Sequence, residues 1–89
     1  MAVTIRYWAA AKEAAGVSEE TYDVGTLEAL LAAVVASRAE ALPDDGRLAR
    51  VLARCAFLVD GHPVGLRAHA SVVLAPGAVV EALPPFAGG

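Results

Sequence analysis

Alternation of apolar and polar residues opens the chain. In Val3-Thr4-Ile5-Arg6-Tyr7-Trp8, the side chains of Val3, Ile5 and Tyr7 fall on one face and those of Thr4, Arg6 and Trp8 on the other, which predicts a half-buried strand. Ala9 to Ala15 is Ala-rich around Lys12 and Glu13 and stops at Gly16, so it predicts a short helical turn at best. Glu19 to Val24 carries Thr21, Tyr22 and Val24, residues suited to a pleated surface, and predicts a second strand antiparallel to the first. The period then changes. After Gly25, Thr26 is a good helix N-cap, and Glu28 puts a negative charge in the first turn, where it is favoured. Leu27, Leu30, Leu31, Val34 and Val35 recur at i, i+3, i+4, i+7 and i+8, one apolar stripe that predicts the main core helix.

Beyond it, Pro43-Asp44-Asp45-Gly46 predicts a turn, and Leu48, Val51 and Leu52 sit at helical spacing within Arg47 to Arg54. Cys55 to Val59 reads as an apolar strand. Asp60-Gly61 is a hairpin signal leading into His62-Pro63-Val64. Ser71 to Leu74 predicts a brief extended pairing, Pro76-Gly77 a turn, and Val79 to Leu83 the last strand. This order, strand, strand, helix, strand, short strand, strand, is most economically folded as one curved sheet on one helix. It predicts an α+β fold of the ubiquitin-like β-grasp type, a mixed sheet packed on one main helix. The first and last strands should lie side by side and parallel at its centre. The domain is expected over residues 1–83, followed by an extended tail over 84–89.

Composition narrows the function classes. With 89 residues and a 57% apolar share, the chain suits one small domain. Cys55 is the lone cysteine, so no disulfide within the chain is available; it reads as a small core residue and the chain as cytoplasmic. A net charge of −3 argues against nucleic acid as a partner, and no apolar run approaches membrane-spanning length. His62 and His69 have no Cys, Asp or Glu at ligand spacing, so no metal is assigned, and Asp44-Asp45-Gly46 is too short for a calcium loop. Ser18, Ser37 and Ser71 lie in no nucleophile motif.

The chemistry gathers at Pro84-Pro85-Phe86-Ala87-Gly88-Gly89. Two prolines hold the chain extended and end the strand, whereas two glycines, lacking Cβ, let another surface approach closely. The pattern fits a reactive carboxylate threaded into a narrow channel; the alternative is a frayed end without a role. Strand alternation adds a second element. If the first and last strands are neighbours, Arg6 and Glu81 could face each other on the outer side of the sheet, next to Trp8 and Leu83. Trp8 then has two readings, a docking residue beside the tail or a core residue folded under the sheet edge.

The hairpin, the Thr-capped Leu-rich helix, the Val-Asp-Gly hairpin, the Pro-Gly turn, Arg6-Tyr7-Trp8-Ala9 with Lys12-Glu13 and Gly16, and the ending Leu-Pro-Pro-Phe-Ala-Gly-Gly resemble the MoaD/ThiS family of small sulfur carriers. The Pro-Pro-Phe-x-Gly-Gly ending places the resemblance closest to the MoaD branch, the small subunits of molybdopterin synthase. Where that family often has an acidic last turn, this chain has Pro76-Gly77-Ala78-Val79.

The resemblance implies that a ubiquitin-activating-type adenylyltransferase uses ATP to adenylate the Gly89 carboxylate, and that a sulfur donor protein displaces AMP to leave a thiocarboxylate, a 1-thioglycine, at Gly89. The molybdopterin synthase large subunit, in a heterotetramer, would then receive the tail and insert sulfur into precursor Z to form the dithiolene. On this view the chain binds no cofactor and is not catalytic alone. Gly88 supplies access and Ala87 is the largest side chain that need enter the channel. Phe86, Pro84, Pro85, Leu83, Trp8, Arg6 and Glu81 would meet the partner. Three other readings stay open: a carrier for thiazole, cysteine or another thiometabolite, a ubiquitin-like modifier joined through Gly89 to a lysine, and an inert β-grasp interaction domain.

Overall fold

The computed structural model describes residues 2–41 and 46–85. Five strands form one sheet in the order β2-β1-β5-β3-β4. β1 (Val3–Tyr7) pairs antiparallel with β2 (Glu19–Tyr22) and parallel with β5 (Val79–Leu83), and β5 pairs antiparallel with β3 (Ala56–Val59). β3 continues through a hairpin into the short β4 (His62–Pro63). The first and last strands are therefore central and parallel, as the alternation predicts, and the fold is the ubiquitin-like β-grasp.

The period of two decides which side chains are inside. Val3, Ile5 and Tyr7 of β1 and Val80 and Ala82 of β5 are buried, joined by Phe57 of β3. Leu27, Leu30 and Val34 of the long helix α2 (Leu27–Ala41) complete this cluster, with Leu31 and Val35 half-buried along its flank. Each fully buried Val, Leu or Ile stabilises the fold by about 1.5–3 kcal/mol before entropy is counted. Thr26 caps α2 as expected, its Oγ1 accepting the Ala29 N–H at 3.1 Å.

Turn chemistry sets the strand joints. Asp60 and Gly61 both adopt positive φ, 50° and 82°, the pair a type I′ hairpin needs. Asp60 also ties the hairpin to β5: its N–H donates to the Val79 carbonyl at 2.8 Å and its Oδ1 accepts the Val79 N–H at 2.9 Å. Pro76-Gly77 turns the chain with Gly77 at φ 83°, and the Gly77 N–H donates to the Ala2 carbonyl at 3.0 Å.

Two expectations need correction. Ala9–Ala15 is a seven-residue helix, α1, rather than a turn. Alanine is the best helix former, Ala11 and Ala15 are buried, and the helix packs on α3 (Arg47–Leu52). The extended pairing within Ser71 to Leu74 shrinks to one bridge between Thr26 and Val73, because His69–Ser71 forms a 3₁₀ turn. Of the turn predicted at Pro43-Asp44-Asp45-Gly46, only Gly46 is among the described residues.

Candidate functional site

The register places Arg6 opposite Glu81, as strand alternation requires. Continued across the sheet, the same rung runs Glu19, Arg6, Glu81, Leu58, Pro63 on the outer face. The next rung sets Leu83 against Ala56. The outer face is thus charged over β1 and β2 and apolar over β3 and β4, with Glu81 at the border. Arg6 and Glu81 do not form the ion pair that their facing positions invite. The Arg6 guanidinium reaches Glu19 at 3.7 Å, while Glu81 accepts the Trp8 indole N–H at 3.0 Å.

Trp8 is the hinge of the site. Its backbone N–H continues the parallel ladder to the Ala82 carbonyl at 3.2 Å. Its carbonyl accepts the Ala11 N–H at 3.0 Å and so starts α1. Between these two duties the chain turns sharply, and Ala9 takes φ 49°, a region that a residue with a Cβ rarely occupies. Trp8 is 47% exposed, so it is not the core residue that one of its two readings expects.

A groove of about 700 Å³ opens beside this indole, lined by Trp8, Ala9, Ala10, Glu13, Leu83, Pro84 and Pro85. Its lining is apolar apart from Glu13, because α1 otherwise presents the methyls of Ala9 and Ala10 there; larger side chains at these two positions would fill it. β5 ends at Leu83, and the half-buried Pro84 and exposed Pro85 lead directly along this groove. The structure therefore brings together Trp8, Glu81, Leu83, Pro84 and Pro85 of the predicted site and turns Arg6 toward β2. Phe86, Ala87, Gly88 and Gly89 lie outside the described residues. Sequence reasoning missed Ala9, Ala10 and Glu13. The signal available was the run of small side chains directly after Trp8, which leaves room for a partner.

Other reactive groups stand apart from this groove. Cys55 is half-buried with its Sγ 3.3 Å from the Val51 carbonyl, and burial pushes its thiol up to about 11. A thiol so protonated at neutral pH is a packing residue, not a nucleophile. Among the described residues no group of three His, Cys, Asp or Glu side chains could hold a metal ion, and no helix is long and apolar enough to cross a membrane.

The model of the ThiS family matches residues 5–89. The chain belongs to the ThiS family. It is thus a small protein of the ubiquitin-like, sulfur-carrier type, which the residues quoted from its strands, turns and ending already resembled. Several solved structures share the fold. A chain from the complex of subunits 1 and 2 of molybdopterin-converting factor of Helicobacter pylori superposes with a TM-score of 0.68 at 24% identity, over 100% of both chains. Small archaeal modifier protein 1 of Haloferax volcanii gives 0.75 at 21% identity over 100% of both chains. Its counterpart from Methanosarcina acetivorans gives 0.78 at 18% identity, covering 99% of this chain and 96% of that one. Comparison with curated protein sequences gives no match.

Proposed function

We propose that this chain is the sulfur-carrying small subunit of a molybdopterin synthase. The observation that carries the reading is the meeting, at Pro84-Pro85, of a stiff strand exit with an open apolar groove. That geometry lets a partner grip the root of the tail on Trp8 and Leu83 while Phe86-Ala87-Gly88-Gly89 reaches into its active site. Family membership over residues 5–89 and the Gly88-Gly89 ending support it. The fold's occurrence in a complex of subunits 1 and 2 of molybdopterin-converting factor supports a large-subunit partner.

In the proposed chemistry a Gly89 carboxylate oxygen attacks the α-phosphorus of ATP on an adenylyltransferase, and pyrophosphate leaves. The outer sulfur of a donor protein's cysteine persulfide attacks the resulting acyl-adenylate and AMP leaves, giving an acyl disulfide. A thiol reductant then cleaves the S–S bond, is itself oxidised to a disulfide with the donor cysteine, and frees the thiocarboxylate. Its anionic sulfur is a better nucleophile than the carboxylate oxygen it replaces, and this is the group delivered to precursor Z. General acids and bases for these steps belong to the partners. Gly88 and Gly89 contribute close backbone approach.

Intact-mass measurement after incubation with an adenylyltransferase, ATP and a sulfur source tests this. The expected gain equals one oxygen replaced by sulfur, localised to Gly89 and dependent on ATP. One residue appended after Gly89 should abolish that gain and leave thermal unfolding unchanged. Persistence of the gain in the extended variant would sink the carrier reading. Higher-mass conjugates through Gly89, with no thiocarboxylate, would favour a ubiquitin-like modifier instead.

A further inference from the structure

Residues 46–59 hold Arg47, Arg50 and Arg54 and no acidic residue, in a chain whose net charge is −3. On α3 and its C-terminal end these arginines are spaced i, i+3 and i+7, so they share one helical face. The face is concave. A hollow of about 450 Å³ is lined by Arg47, Arg50, Val51, Ala53 and Arg54. A second hollow of about 190 Å³ joins Arg54 and Val51 to Ala10, Pro84 and Pro85. The arginine face is therefore continuous with the root of the tail, and Ala10, Pro84 and Pro85 line both this hollow and the groove at Trp8. Arg47, Arg50 and Arg54 are all exposed. Of the exposed arginines elsewhere, Arg6 is tied to Glu19 and Arg67 to the carbonyls of Val64 and Pro63.

We propose that this arginine-lined hollow docks carboxylates at the mouth of the channel of the adenylyltransferase that takes the tail. The inference rests on the carrier reading above and adds to it the chemistry of the partner's rim. Reach decides between an acidic protein surface and the nucleotide phosphates. The four residues from Phe86 to Gly89 span at most roughly 14 Å when extended. When the tail is extended into the channel, Arg54 stands at its entrance, far from the phosphates at the reacting carboxylate. Guanidinium groups match carboxylates in a bidentate geometry, and charges at a rim mainly raise the association rate and set partner choice. The groove at Trp8 then supplies apolar grip and α3 supplies electrostatic steering, both next to the same exit.

The test uses the full chain and the adenylyltransferase that activates it, with pyrophosphate release as the readout. The double charge reversal R47E/R54E is expected to raise KM about tenfold or more with kcat nearly unchanged. The gap should close as added salt shortens the Debye length from about 10 Å to about 3 Å. R47K/R54K should recover most of the loss, and far-ultraviolet circular dichroism melts establish that both variants fold. An unchanged KM, a loss residing in kcat, or a gap insensitive to salt would overturn the proposal. So would binding of ATP or pyrophosphate to the isolated wild-type chain that R47E/R54E abolishes, since this would make the hollow a phosphate site. Failure of the carrier reading itself looks different: no enzyme-dependent pyrophosphate release from the wild-type chain.

Discussion

The indole N–H of Trp8 donates to Oε2 of Glu81 at 3.0 Å, joining residues 73 positions apart on the exposed side of the sheet. The bond fixes a 47% exposed tryptophan at the lining of the groove that it shares with Leu83. An exposed hydrogen bond contributes no more than about 1 kcal/mol to stability. Its value lies in presenting a large apolar ring in one orientation, which lowers the ordering cost of docking. Trp8→Ala is expected to shift unfolding by less than about 1 kcal/mol while weakening partner binding by about 2 kcal/mol, the size of an aromatic hot spot. Calorimetric titration and thermal melts on the same variant check this; a large stability loss with unchanged binding would return Trp8 to the core.

Beneath the sheet a different carboxylate holds the fold together. Oε1 of Glu20 accepts the Tyr7 hydroxyl at 2.8 Å and lies 2.7 Å from Nη2 of Arg38 on α2. Three elements, β1, β2 and α2, therefore converge on one carboxylate. Glu20→Ala leaves a buried phenol without its acceptor and a mostly buried guanidinium without its counter-charge, at a cost of about 1–3 kcal/mol. Glu20→Gln, which retains an acceptor for Tyr7, should lose less. Urea unfolding of the two variants gives the comparison, and equal losses would show that charge alone matters there.

The features legible in the sequence are those with a local physical cause. The alternation of Val3, Ile5 and Tyr7, the Thr26 cap and the Asp60-Gly61 turn each have one good structural solution, and each appears in the fold. α1 is hidden from the pattern because its alanines give no apolar stripe to detect; its buried face is chosen by α3, which is distant in sequence. Register predicted the facing of Arg6 and Glu81, but not their partners. That outcome depends on a competition, in which Glu81 is taken by Trp8 and Arg6 turns to Glu19. The groove could not be read at all from periodicity, because it is made by what Ala9 and Ala10 lack.

Cys55 gives a pH dependence with a defined sign. Burial raises its thiol from an ordinary 9.0 to about 11 in the folded chain, so the folded state holds its proton more tightly than the unfolded state. The stabilisation it contributes is complete below about pH 9 and is lost as pH rises through about 11. Tyr7 acts in the same direction from above its ordinary value of 10.0, because burial and then its bond to Glu20 raise its phenol well above that value. Native thiolate absorbance should therefore appear only near pH 11, and Cys55→Ala should flatten the fall in melting temperature that begins above pH 9. A native titration midpoint at the ordinary thiol value would contradict the burial.

Ala9 supplies the sharpest backbone prediction. At φ 49° it is one of two non-glycine residues with positive φ among those described, the other being Asp60 in its turn. An L-residue there costs about 1–2 kcal/mol. The neighbours enforce it: the Trp8 N–H is committed to Ala82, its carbonyl to Ala11, and its indole to Glu81, so the chain must reverse within one residue. Replacing Ala9 by Gly removes the Cβ conflict where helix propensity is of little consequence, and should stabilise the protein by about 0.5–1 kcal/mol. The same change one residue later, Ala10→Gly, lies in ordinary helix and should destabilise by about 0.5–1 kcal/mol. Opposite signs for adjacent, chemically identical substitutions are difficult to produce by any cause other than the strain at Ala9. Chemical denaturation of the two variants decides it: destabilisation by both would mean that the reversal after Trp8 is unstrained and that the indole is held in place by its bond to Glu81 alone.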